Sequence, residues 1–201
     1  MKSRLMPRTE LRITGFGGQG VVLAGHIIGR AFAIHAGRHA TMIQSFGPEA
    51  RGSACSATLV VSDDEVLFPY IKRLDILMVM SAEGYERYAD DLKKDGLLIY
   101  EQDLVKPEFH KSRKAFGIPS TRIAESLGRA IVQNIVMVGF FAGVTALIPR
   151  QAMREAVRGS VPVGTEELNL EAFEKGLEYA DTKIIEPVEQ MTRPAPEEVT
   201  T

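Results

Sequence analysis

Apolar and polar positions along this chain change rhythm several times, and each change marks out an element. Leu11–Gly15 is a short apolar run that predicts a strand. Over 20–36, Val21, Leu23, Ala24, Ile27, Ile28, Ala31 and Phe32 recur at helical spacing. Strands are predicted over 39–44 and 54–62, the latter containing the β-branched Thr58, Val60 and Val61. Leu74-Asp-Ile-Leu-Met-Val-Met80 is almost continuously apolar, the pattern of a strand covered on both faces. An amphipathic helix over 83–94 ends at Gly96 as its C-terminal cap, and strands over 97–101 and 115–118 follow. From Ser120 the chain reads helical, over 120–127, 129–147, 150–158 and 168–181, and Pro149 suits the first turn of the third of these. Strands alternating with helices predict an α/β fold: a Rossmann-like open, mostly parallel sheet, helices on both faces and a helical C-terminal portion. One domain is expected over 10–182, with 1–9 and 183–201 as flexible tails.

The densest signal lies where the first strand meets the first helix, in Gly15-Phe-Gly-Gly-Gln-Gly20. Gly15, Gly17 and Gly20 have the G-x-G-x-x-G spacing of a dinucleotide-binding turn. Amides of Gly17, Gly18, Gln19 and Gly20 would face out of the helix start, where the macrodipole favours an anion. A dinucleotide site also needs an acid at the end of the second strand to hold the ribose. Here that strand runs into Gln44-Ser-Phe-Gly47, and the first acid after Gly20 is Glu49, beyond Pro48. The turn is therefore half of a dinucleotide fingerprint and a complete anion-tolerant helix start.

A second structured loop, Gln44-Ser-Phe-Gly-Pro-Glu-Ala-Arg-Gly-Ser53, follows the second strand and should emerge at the same carboxyl edge of the sheet. Gly47 shapes it, and Glu49 and Arg51 could recognise a polar partner or pair with each other, at about 1 kcal/mol for a surface pair.

Composition narrows the class. The 201 residues are 45% hydrophobic, enough for one sizeable core. A net charge of −2 gives no electrostatic footprint for nucleic acid. No apolar run reaches the length of a membrane span: Ala130–Pro149 is interrupted by Gln133, Asn134, Gly139 and Gly143 and suits a buried or interface helix. The basic N-terminus lacks the apolar segment of a signal peptide, so a cytoplasmic location is expected.

Chemistry-bearing residues are few. His26 and His35 are too far apart on their helix to share a metal, and His39 and His110 have no acid spaced to complete a ligand set. The lone Cys55 excludes an internal disulfide and reads as a small buried apolar residue. Ser45, Ser53 and Ser56 lack the nucleophile-elbow setting. No catalytic or metal-binding residue is assigned, a profile that suits one part of a larger assembly.

Taken together, Gly15-Phe-Gly-Gly-Gln-Gly-Val-Val-Leu-Ala-Gly25 and Gln44-Ser-Phe-Gly-Pro-Glu-Ala-Arg-Gly52 closely resemble the gamma subunit of 2-oxoacid:ferredoxin oxidoreductases. Pro119–Gly128, Gln133-Asn-Ile-Val136 and Asn169–Gly176 fit the same family, so the resemblance covers about residues 10 to 181. It implies an enzyme complex that oxidatively decarboxylates a 2-oxoacid, joins the acyl group to coenzyme A and reduces ferredoxin. Thiamine diphosphate, Mg and iron–sulfur clusters would reside with alpha, beta and, where present, delta subunits. This chain would support assembly, with its site residues Gly15, Gly17, Gly18, Gln19, Gly20, Gly47, Glu49 and Arg51 forming an edge for coenzyme A phosphates or a partner subunit. Alone it would be inactive, and a homodimer of the isolated chain is open. The wording of the second loop resembles the 2-oxoglutarate and indolepyruvate branches more than the pyruvate branch, and 2-oxoglutarate is the favoured substrate. An autonomous dinucleotide-binding reductase and a ligand-free structural module are the alternatives.

Overall fold

A computed structural model describes residues 8–46, 54–67, 69–71, 73–107 and 114–190, with 184–190 as backbone only. Six strands, β1 (Thr9–Phe16), β2 (His39–Phe46), β3 (Ala54–Ser62), β4 (Leu74–Val79), β5 (Leu92–Glu101) and β6 (Lys114–Ile118), form one sheet in the order β2-β3-β1-β4-β5-β6. The pairs β1–β4, β4–β5 and β5–β6 are parallel. Only β3 runs against the others, because it is antiparallel to both β1 and β2. The mostly parallel α/β sheet expected from the sequence is the one observed.

The helices are α1 (Val21–Arg30), α2 (Ala82–Tyr88), α3 (Ser120–Ser126), α4 (Gln133–Thr145), α5 (Arg150–Arg158) and α6 (Glu166–Gln190). A π-helical turn, Ala31–His35, continues α1, so the 20–36 helix is present with a bulge in its last turn. One face of the sheet carries α1 and the α4–α6 layer, and a core of Ile13, Ala57, Leu59, Ile76, Met78 and Ile99 packs beneath them. On the other face Leu77, Val79 and Leu98 pack with Tyr85 and Ala89 of the α2 region. Alternate residues of the apolar run at 74–80 thus enter different cores, as a strand covered twice requires.

α4 is buried along most of its length, from Gln133 to Gly143. It packs on α6 through glycines: a Cβ at Gly139 would lie 2.9 Å from the Phe173 carbonyl carbon, and one at Gly176 would lie 2.7 Å from the Phe140 nitrogen. The two backbones approach too closely for side chains between them, which is why the glycines interrupt an otherwise membrane-like run. Among the described residues no helix is long and apolar enough to cross a membrane.

Several boundaries differ from the sequence reading: β1 begins at Thr9, inside the expected tail over 1–9, and three others bear on the fold. Gly96 does not cap a helix: α2 ends at Tyr88, a short 3-10 turn covers Ala89–Asp91, and β5 begins at Leu92. Gly96 lies in β5, where pairing with β4 shifts register between Leu74↔Leu92 and Ile76↔Leu97, and a Cβ there would sit 2.6 Å from Leu92 Cδ1. The helix expected over 129–147 is a 3-10 turn, Ala130–Val132, followed by α4, which stops at Ala146 with φ 48°. The last helix runs on to Gln190, past the expected start of a tail at 183.

Candidate functional site

The carboxyl ends of the parallel strands gather the helix starts. β1 leads to α1, β4 to α2 and β6 to α3, and the sequence treats these turns differently. At α2, Ser81 Oγ accepts from the Gly84 amide at 3.2 Å and closes the first turn. At α3, the buried Glu101 carboxylate at the end of β5 takes the place of an external anion. It accepts from the Thr121 amide at 2.8 Å, from Thr121 Oγ1 at 3.2 Å, from the Asp103 amide at 3.1 Å and from Ser120 Oγ. At α1 the N-cap is Gly20, with φ 72° and no side-chain cap. Its first-turn amides therefore receive no capping oxygen from the N-cap residue.

The glycine turn itself is rigid. The Gln19 side chain folds inward, with Oε1 accepting from the Phe16 amide at 2.7 Å and Nε2 donating to the Met80 carbonyl at 3.0 Å. This clamps the exit of β1 to the end of β4. Gly15 is required by the clamp, because a Cβ there would lie 2.6 Å from Gln19 Oε1. Gly20 is fixed from across the fold: Asn134 Nδ2 donates to its carbonyl at 3.2 Å, and a Cβ on Gly20 would fall 2.6 Å from Asn134 Cγ.

Over this turn lies a cleft of about 520 Å³, within the range of small-molecule sites. Gly18 and Gly20 form one wall, Arg129 to Asn134 another, and the α5–α6 connection around Thr165 a third. Its lining mixes Leu23, Val132 and Leu168 with Arg129, Asn134 and Asn169. Arg129 is exposed and makes no ion pair among the described residues. At the rim Ile131 and Val163 are 78% and 96% exposed. Such a site can hold an anionic group at its mouth and an apolar chain along its floor.

The predicted site residues separate into groups. Gly18 and Gly20 line the cleft, and Gly17 lies in the same turn. Gly15 and Gln19 build the turn from inside, and the Gln19 amide donates to Phe16 O at 3.1 Å instead of facing outward. Gly47, Glu49 and Arg51 lie outside the described residues. Their flanks, Phe46 and Ala54, sit at the same sheet edge, paired through β3 with the end of β1. Arg129, Asn134 and the 162–169 wall were not read as site residues from sequence. Asn134 and Asn169 appear there only within wider segments, with no site role.

Two further placements bear on chemistry. Cys55 is buried opposite Gly15 in β3, and burial pushes its thiol pKa up, which makes it a poor nucleophile. The dinucleotide reading fails on topology as well as on the missing acid. β3 lies between β1 and β2, so the end of β2 is two strand spacings, about 10 Å, from β1. The position where a ribose-binding acid would stand beside the turn is filled by Ala54 and Cys55.

Comparison with known proteins shows the family. The family model for pyruvate ferredoxin/flavodoxin oxidoreductase matches residues 10–179. The chain belongs to this family. It is 44% identical over 184 residues to the 2-oxoglutarate synthase subunit KorC of Methanocaldococcus jannaschii, covering 89% of this chain and 97% of that one. The gamma subunit of a keto/oxoacid ferredoxin oxidoreductase from Geobacter sulfurreducens superposes with a TM-score of 0.78 at 33% identity, over 88% of this chain and 98% of that chain. A 2-oxoglutarate:ferredoxin oxidoreductase from Magnetococcus marinus, determined with 2-oxoglutarate, coenzyme A and succinyl-CoA bound, shares the fold with a TM-score of 0.77 at 22% identity, over 88% of this chain and 32% of that chain. The resemblance to a gamma subunit of the ferredoxin oxidoreductase family is borne out.

Proposed function

We propose that this chain is the gamma-type subunit of a 2-oxoglutarate:ferredoxin oxidoreductase, a complex that converts 2-oxoglutarate, coenzyme A and oxidised ferredoxin to succinyl-CoA, carbon dioxide and reduced ferredoxin. The observation that carries the reading is the nearly full-length match to a 2-oxoglutarate synthase subunit. Thiamine diphosphate, Mg and the iron–sulfur clusters belong to alpha, beta and delta-type subunits. The described residues of this chain hold no group of three His, Cys, Asp or Glu that could bind a metal.

The part of this chain in the reaction is the cleft over the glycine turn. Coenzyme A fits its chemistry: Arg129 and the uncapped start of α1 offer positive potential to a phosphate, and Leu23, Val132 and Leu168 offer a floor for the pantetheine chain. The chain's own residues would bind and orient this co-substrate and exclude water from it. The exposed Ile131 and Val163 at the rim suit contact with a neighbouring subunit.

The test is reconstitution. Co-expressed with alpha, beta and delta-type chains, the protein should enter a complex that reduces ferredoxin with 2-oxoglutarate and coenzyme A and does so faster than with pyruvate. The isolated chain should show no oxidation of either acid. Activity of the isolated chain, or tight binding of a nicotinamide dinucleotide by it, would overturn the reading.

A further inference from the structure

Behind one wall of the cleft runs a chain of buried polar side chains. Glu101, the last residue of β5, and Ser120, the first of α3, are both fully buried. Ser120 Oγ donates to Glu101 Oε2 and accepts from Gln133 Nε2 at 3.3 Å. Gln133 opens α4 and is itself buried. The next residue, Asn134, donates to the Gly20 carbonyl. The first turn of α4 is thus tied to the sheet on one side, through Ser120 and Glu101, and to the start of α1 on the other. Packing gives no reason for these bonds. α4 is apolar from Ile135 to Val144, and an amide buried at its start costs free energy that an apolar residue of similar size avoids. What the bonds fix is placement. The Arg129 amide donates to the Ala124 carbonyl at 3.2 Å, so the cleft wall from Arg129 to Asn134 hangs from the end of α3 and runs into α4. The Ser120–Gln133 bond joins these two helices at their first residues and sets the span that the wall must bridge.

We infer that Glu101, Ser120 and Gln133 are positioning residues, which act through Asn134 and Arg129 to hold this wall where coenzyme A meets it. The inference rests on the assignment of the cleft to coenzyme A. The bonds run in one direction. The Ser120 hydroxyl gives its only hydrogen to the carboxylate, so its oxygen meets the Gln133 amide as an acceptor, strengthened by the charge behind it. Glu101 keeps other donors when Ser120 is changed: the Thr121 and Asp103 amides, at 2.8 and 3.1 Å. Ser120→Ala therefore opens the chain at its middle and leaves the start of α3 closed. Gln133→Leu cuts the same Ser120–Gln133 bond from the other side and keeps the volume of the buried side chain.

Two measurements test this. In the full chain alone, Ser120→Ala should shift and broaden the nuclear magnetic resonance of the Asn134 side-chain amide, because one of the two anchors of the first turn of α4 is gone. In the complex assembled with alpha, beta and delta-type chains, Ser120→Ala and Gln133→Leu should each raise KM for coenzyme A, and its Kd in calorimetric titration, about fivefold. The kcat and the KM for 2-oxoglutarate should stay near the wild-type values. The double variant should bind no worse than the single ones, since both cut one bond. Leu92→Ala, a core truncation at the amino edge of the sheet, should lower stability but leave coenzyme A affinity unchanged. An unmoved Asn134 resonance, or an active complex in which neither substitution changes coenzyme A affinity, would overturn the inference. So would a matching loss of affinity in Leu92→Ala, since the effect would then be one of stability alone. A complex of folded chains that does not turn over 2-oxoglutarate and coenzyme A would overturn the proposed function instead, while the Asn134 resonance still decides the placement.

Discussion

Two helix starts at one edge of the sheet, those of α1 and α3, solve the same electrostatic problem in opposite ways. Each presents unpaired amides and the positive end of a helix dipole. At α3 the protein supplies the anion itself: the fully buried Glu101 takes hydrogen bonds from Ser120, Thr121 and Asp103. At α1 the N-cap glycine offers no side chain to cap the turn, and the opening faces a cleft that carries Arg129 without an ion pair among the described residues. Glu101 therefore holds the scaffold together, and the α1 turn has no such internal partner among the described residues. The difference teaches where to look for function: at the turn whose positive end no side chain of its own N-cap compensates.

The largest effect should come from breaking the filled start. Glu101→Ala removes the acceptor of several buried hydrogen bonds to a charged group, and about 3 to 4 kcal/mol of stability should be lost. In a chain of this size that corresponds to a fall of about 10 °C in Tm, measurable by thermal or urea unfolding. Glu101→Gln keeps the shape and one carbonyl acceptor but sets an amide donor among donors, and should cost about half as much. If either variant were as stable as the wild type, Glu101 would not be the anion that closes the start of α3.

Next in size are the glycines of the open start, which differ from each other. Gly20→Ala meets a positive φ and the Asn134 amide together and should lose about 2 to 3 kcal/mol. Gly18 also has a positive φ, 99°, but nothing lies within 4 Å of a Cβ there, so Gly18→Ala should cost only about 1 kcal/mol. Combining Gly20→Ala with Asn134→Ala should be less damaging than the sum, with a coupling of about 1 kcal/mol in urea unfolding. Additive losses would mean that Asn134 does not constrain the turn.

The Gln19 clamp ranks third. Gln19→Ala frees the Phe16 amide and the Met80 carbonyl and should lose about 1.5 kcal/mol in the same unfolding measurement. Gln19→Glu should not restore it, because an ionised carboxylate cannot donate to the Met80 carbonyl. A fully stable Gln19→Glu chain would show that only the bond to Phe16 matters.

These ranks also show what was legible in the sequence. The alternating periods gave the strands and helices, and the apolar run at 74–80 gave a doubly covered strand, because each depends on neighbours in the chain. The insertion of β3 between β1 and β2 was not legible: strand order depends on which strands pair across the sheet, and no local pattern encodes it. Gly96 resembled a helix cap because a glycine after an amphipathic segment usually is one, and the register shift in β5 that it serves depends on pairing with β4. The glycine turn was visible as an anion-tolerant start. Its constraint by Asn134 joins residues 114 apart in sequence, and Arg129 meets the turn only after α4 has packed. Glu101 lay unnoticed in a predicted strand, since its partners are found a helix away.

The smallest effect on stability should accompany the sharpest effect on ligand. Arg129 is exposed and unpaired among the described residues, so Arg129→Ala should change unfolding free energy by less than about 0.5 kcal/mol. If the open start binds the phosphates of coenzyme A, the same substitution should weaken binding about tenfold, or about 1.4 kcal/mol, in calorimetric titration of the assembled complex. Arg129→Lys should recover part of the loss, since an ammonium keeps the charge without the planar fork. Raising the salt concentration should weaken the wild type more than Arg129→Ala, because the variant lacks the screened contact. An affinity that Arg129→Ala leaves unchanged would make the cleft a subunit contact, and the positive end of α1 would then be met by a carboxylate of the neighbouring chain, as Glu101 meets α3 within this one.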